Sequence, residues 1–271
     1  MYNDNWSGKS DLYSVPSNLL GDGQSAGLVC SEIISTDFKN SKDIDCQIKD
    51  LKQHMFKDEE LMSLSTFLKH PNGIIVSVES REINGDGRIL SDNYEKFLHL
   101  QSRGLLLTCC GHLKTTENSN VLWKWKRIVI ELESQCSTNQ ELIECVYAEM
   151  IRKKLYNTQI ICLDTINKKL TIIEQGNKGL FKVELSSIKD TYMRSIGSEL
   201  IDPFCFYELS KENHSFNTTE NALLFLNNYY ALTMKTAEYF TKELRLTRVP
   251  PYGGKIHHFI FDNDCRFVKK I

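Results

Sequence analysis

Glu82, Asn84, Asp86, Gly87 and Ile89 fall at the spacing of a calcium loop. Such a loop needs oxygen ligands at alternate positions, a glycine at the sixth for a sharp turn and an apolar residue at the eighth. Two positions depart from it: the first is Glu rather than Asp, and the twelfth is Asn93 where a bidentate Glu belongs. With those ligands missing, the stretch reads by default as a Gly-rich hairpin or loop between 74–83 and 88–90. Cys109-Cys110-Gly111-His112 and His257-His258 carry metal-binding atoms. Neither has the paired spacing of a structural zinc site, so core cysteines and surface histidines are expected. Trp123-Lys124-Trp125-Lys126-Arg127 mixes aromatic and basic residues as nucleic-acid binders do. At helical spacing, however, Trp125 joins an apolar stripe and the cations face outward. The runs Arg152-Lys153-Lys154 and Lys168-Lys169 read as a solvated helix face.

No GxSxG, P-loop, GxGxxG or HExxH occurs, and no local signature marks a Cys/His nucleophile pair. The expectation is a protein without enzymatic activity, cofactor or metal, with a calcium-responsive loop or an unrecognised Cys/His enzyme as the alternatives.

The elements that would position these residues read as mainly helical. Residues 1–55 are rich in Ser, Asp, Asn, Gly and Lys, and an irregular segment is expected there. Leu61, Leu64 and Leu68 predict a short helix over 57–69, closed by Pro71-Asn72-Gly73. The β-branched run Ile74-Ile75-Val76-Ser77-Val78 predicts a strand, so 56–92 is a helix plus a strand and loop. Residues 93–247 predict a helical bundle. Its members start near 93 (Tyr94, Phe97, Leu98, Leu105, Leu106) and near 118 (Leu122, Trp125, Val129, Leu132). The longest runs over 140–175, and a shorter one carries Leu185, Ile188, Tyr192 and Ile196. The last, to about 244, opens on Asn217 with Glu220 three residues on, the pattern of a capping box. Pro250-Pro251 ends the helical region, leaving 248–271 as a tail.

The 271 residues carry a net charge of −2, which asks for neither nucleic acid nor membrane. No apolar run is long enough to span a bilayer. Nine cysteines without a CxxC pair fit a reducing cytoplasmic or nuclear compartment.

Part of the helical region resembles the cullin family, at the end of its N-terminal repeat. Glu144-Cys-Val-Tyr147-Ala-Glu-Met150, continued through Ile160, Ile166-Asn-Lys-Lys-Leu170 and Ile172-Ile173-Glu174, is similar to the fifth helix and its "hhxxER" ending. Gly179 through Tyr192 resembles the "GExhDxxLhxxhxxSY" segment; Lys182 stands where that pattern has Asp, and Glu174-Gln175 where the preceding ending has Glu-Arg. Ala231 through Glu243 resembles "FLxxTxxFYxxES". The resemblance, nearest to the Elongin and SOCS-box member, covers well under half the chain. It implies a ubiquitin-ligase scaffold fragment that binds a BTB-fold or Elongin-type adaptor and recruits no RING protein. Carried onto this chain, the adaptor surface would be Tyr147, Met150, Ile151, Lys154 and Tyr156.

Overall fold

A computed structural model describes residues 63–84, 88–111, 114–117, 120–155, 158–174, 179–188, 191–197, 216–242, 250 and 252–271. Two five-stranded antiparallel sheets lie face to face. The first is ordered β12-β1-β2-β13-β14, from β1 (Leu64–His70), β2 (Gly73–Glu79), β12 (Tyr192–Gly197), β13 (Ile256–Phe261) and β14 (Phe267–Lys270). The second is ordered β11-β10-β9-β6-β5, from β5 (Phe97–Leu100), β6 (Leu105–Gly111), β9 (Thr158–Asp164), β10 (Lys169–Ile173) and β11 (Leu180–Glu184). Two hairpins stand apart, β3 (Glu82–Ile83) with β4 (Ile89–Ser91), and β7 (Lys114–Glu117) with β8 (Asn120–Lys124).

Among the described residues three helices cover the outer faces. Trp125, Ile128 and Val129 of α1 (Trp125–Glu133), with Leu142, Ile143, Val146 and Met150 of α2 (Asn139–Arg152), pack on Leu105, Leu107, Ile160 and Cys162 of the second sheet. Ala222, Phe225, Leu226, Tyr229 and Tyr230 of α3 (Thr219–Lys242) pack on Leu64, Leu68 and Ile75 of the first. Between the sheets Phe67, Val76 and Val78 meet Leu106, Ile161, Leu163 and Ile172. The order is helix, sheet, sheet, helix.

This overturns the mainly helical expectation and the cullin-repeat bundle with it. The 140–175 helix ends at Arg152, because Lys154 turns left-handed (φ 54°) and Leu155 N–H closes on the Met150 carbonyl at 3.0 Å. Beyond it come β9 and β10, with Lys168 and Lys169 at their turn. The helix expected from 93 is β5 and β6, and the 185–196 segment is a 3-10 turn followed by β12. Within 57–69, the described part from Leu64 is β1. Central strands are buried on both faces, so they read as unbroken apolar runs that periodicity does not separate from buried helix.

The strand at 74–78 is β2, and the helix from 217 is α3, capped one residue later than expected: Thr218 Oγ1 accepts the Asn221 N–H at 3.1 Å. The tail supplies β13 and β14. Between β1 and β2 the turn needs Gly73 (φ +152°), where a Cβ would sit 2.2 Å from the Phe261 carbonyl oxygen. Residues 1–55 lie outside the described part.

Candidate active site

Because β1 and β2 are antiparallel neighbours, the start of one lies beside the end of the other. Ser63 immediately precedes β1 and Glu79 closes β2. Lys96 enters from the facing sheet, just before β5, where its carbonyl accepts the Cys109 N–H at 2.8 Å. Its ammonium donates to Ser63 Oγ at 2.8 Å and to Glu79 Oε1. Glu79 Oε1 also accepts the Leu64 N–H at 3.3 Å, and Oε2 accepts the Arg81 N–H at 2.6 Å. Ser63 is 3% exposed, Lys96 1% and Glu79 0%.

A buried ion pair is costly unless its remaining hydrogen-bond capacity is met. Here the carboxylate takes two backbone amides and the ammonium takes a serine hydroxyl. Burial pushes the Glu79 carboxyl above the usual carboxylate range, opposed by Lys96 and by the two amide donors. An ammonium that donates to a hydroxyl oxygen stabilises any negative charge that develops there.

Arg81 locks the surroundings. Its guanidinium binds Asp92 at 2.7 and 3.2 Å and the Pro250 and Tyr252 carbonyls at 3.1 Å each. Its own N–H, which holds Glu79, also reaches the Gly253 carbonyl at 3.1 Å. Tyr94 N–H bonds the Ser80 carbonyl at 2.9 Å, tying the segment that leads into Lys96 to the end of β2. Burial pushes the Tyr94 phenol up to about 12.

The residues singled out from sequence lie elsewhere. In the 82–93 stretch Asn84 and Arg88 close a hairpin: Arg88 N–H donates to Asn84 Oδ1 at 2.8 Å, and Asn84 N–H to the Arg88 carbonyl at 3.0 Å. On its described residues the stretch is the hairpin that is the default reading of this segment; residues 85–87 lie outside them. Among the described residues no three His, Cys, Asp or Glu side chains gather as a metal site. Cys109 and Cys110 are buried on β6, and burial pushes the Cys109 thiol up, opposite to what a nucleophile requires. His112 is not described. His258, expected at the surface, is buried, with Nδ1 2.7 Å from Ser77 Oγ and Nε2 3.1 Å from Asn227 Oδ1. Cys109, Cys110 and His258 therefore give no support to the unrecognised Cys/His enzyme. On α2, Met150 is buried, Tyr147 half-buried and Ile151 exposed; Lys154 follows the helix, exposed, and Tyr156 is not described.

Ser63, Glu79 and Lys96 were not singled out, and no local motif marks them. A faint signal exists for two: Glu79 ends the β-branched run, and Lys96 precedes Phe97-Leu98 at a strand start, where a charge is forced towards the interior.

No protein-family model matches the chain, and no curated protein does. Solved structures do. Anbu from Hyphomicrobium sp. strain MC1 superposes with a TM-score of 0.51 at 11% identity, over 77% of this chain and 86% of that one. A Gly-1 mutant of the same protein covers the same shares at 14% identity and a TM-score of 0.48. The likeness is one of fold. It replaces the cullin resemblance, and with it the adaptor-binding ubiquitin-ligase scaffold. No helix of the described residues is long and apolar enough to cross a membrane.

Proposed function

We propose that this chain is a serine-nucleophile hydrolase of amide bonds, with Ser63 as nucleophile, Lys96 as the cation that lowers the cost of its alkoxide, and Glu79 as the anchor of Lys96. The carrying observation is the bridge from Lys96 Nζ to Ser63 Oγ and Glu79 in a buried setting. Charged, desolvated clusters of this kind concentrate where chemistry is done. The fold by itself assigns no activity.

Lys96 gives its protons to Glu79 and Ser63, so turnover needs a separate base. Serine supplies one if the bond before it is cut, since a free α-amine beside its own hydroxyl accepts the hydroxyl proton. Ser63 Oγ attacks the Met62 carbonyl carbon, the Met62–Ser63 C–N bond breaks, and the amine takes a proton. Water then hydrolyses the resulting ester, releasing the Met62 carboxylate and restoring the Ser63 hydroxyl. The same hydroxyl thereafter attacks substrate amides by the same sequence of bonds.

Intact-mass measurement on the expressed full-length chain tests this. The expected species begins at Ser63, and Ser63→Ala keeps the chain whole. A wild-type chain uncut before Ser63, with a Ser63 inert to acylating probes, overturns the reading and leaves the non-enzymatic expectation standing.

A further inference from the structure

The two sheets meet beside Ser63 through side chains rather than backbone. Gly197, the last residue of β12, pairs with Leu64 and lies flat against Ser63: a Cβ at Gly197 would stand 1.9 Å from the Ser63 carbonyl oxygen. The peptide unit joining Ile196 to Gly197 is held from the facing sheet at both ends. Gln159 Oε1 on β9 accepts the Gly197 N–H at 3.0 Å, and Cys110 Sγ on β6 donates to the Ile196 carbonyl at 3.5 Å. Cys110 and Gln159 are themselves cross-strand partners. One step further in, Ser65 Oγ and Thr108 Oγ1 join the sheets at 2.6 Å.

Ser63 belongs to one sheet and Lys96 to the other, so the distance between hydroxyl and ammonium depends on how the sheets are fixed at this end. We propose that Gln159 is a positioning residue for the nucleophile: its amide oxygen pins Gly197, and through Gly197 the backbone of Ser63, in register with Lys96. The inference rests on the reading of Ser63 above. A small displacement suffices to matter, because an error of about 1 Å in a reacting group costs up to roughly 100-fold in rate.

The experiment compares wild type, Gln159→Leu and Gln159→Glu in full-length protein, using an alkyne-tagged β-lactone. Ser63 Oγ attacks the lactone carbonyl, the ring C–O bond opens, and the hydroxyl proton passes to the released alkoxide, so the whole probe is retained. Rates are split into probe affinity and the maximal acylation rate, across pH 6 to 9 and well below each variant's Tm. Gln159→Leu is expected to lower the maximal rate by roughly 10- to 100-fold with affinity within about twofold. Gln159→Glu, which keeps an oxygen acceptor at the same reach, is expected to restore most of it. An unchanged maximal rate in Gln159→Leu, with Tm lowered or not, assigns the residue to packing alone and overturns the proposal. Loss of rate in both variants equally overturns it too. A wild type that takes no label at Ser63 defeats the underlying reading instead, and the proposal falls with it.

Discussion

Replacing Lys96 with Met strands the Glu79 carboxylate in a site where it is wholly buried. Removing one partner of a buried ion pair costs about 3–5 kcal/mol, because the other charge stays behind without compensation. For a domain of this size that corresponds to a Tm lowered by roughly 6–20 °C. The loss carries a pH signature. Lys96 is the principal group holding the Glu79 carboxyl down against burial, so without it the folded-state value rises further above the unfolded one. A folded state that binds the proton more tightly is relatively stabilised at low pH. The deficit of Lys96→Met against wild type is therefore largest at pH 8 and shrinks as pH falls toward the carboxylate range. Adding Glu79→Gln removes the stranded charge while keeping an oxygen for one backbone amide, and is expected to return about 2 kcal/mol or more at pH 8. Urea unfolding of wild type, both single variants and the double variant at pH 8, 7, 6 and 5 measures all of this. A Lys96→Met cost under about 1 kcal/mol at pH 8, flat with pH, would refute the buried pair.

Other consequences can be checked on the same material. Burial lowers His258 from 6.5 to about 4, with Nδ1 hydrogen-bonded to Ser77 Oγ and Nε2 to Asn227 Oδ1. Its depressed value means the unfolded state takes the proton first. About 3 kcal/mol of stability is lost as pH falls from about 6.5 to about 4, and His258→Gln flattens that slope; an identical slope in the variant contradicts it. Gly73→Ala forces a Cβ against the Phe261 carbonyl at a positive φ, and a loss of about 2 kcal/mol or more is expected in urea unfolding. Arg81→Lys keeps the charge but forfeits the fork shared by Asp92 and two carbonyls. Acylation of Ser63 is expected to slow at least tenfold, while an unchanged rate would detach Arg81 from the site.

What the sequence discloses of this fold depends on exposure. Helix α3 and the β-branched strand β2 are legible: one has a start signal and an apolar stripe, the other a composition that suits strands. The second sheet is not. Leu105-Leu106-Leu107 and Ile160-Ile161-Cys162-Leu163 serve two cores at once, with Leu106, Ile161 and Leu163 facing the other sheet and Leu105, Leu107, Ile160 and Cys162 facing the helices. Alternation disappears when both faces are apolar, and joining such runs to the true helix α2 produced the long helix and the cullin resemblance. The candidate site fails to show for a different reason. Ser63, Glu79 and Lys96 come from three segments that meet only through the pairing of β1 with β2 and the stacking of two sheets. Nothing local in Met62-Ser63-Leu64 distinguishes that serine from the many others in the chain.

Labelling with the β-lactone probe, followed by tryptic mapping, tests the role of Ser63 most directly. The account predicts one dominant adduct on the peptide beginning at Ser63, lost in Ser63→Ala and reduced in Lys96→Met. Equal labelling of several serines, or an adduct that survives Ser63→Ala, would contradict it.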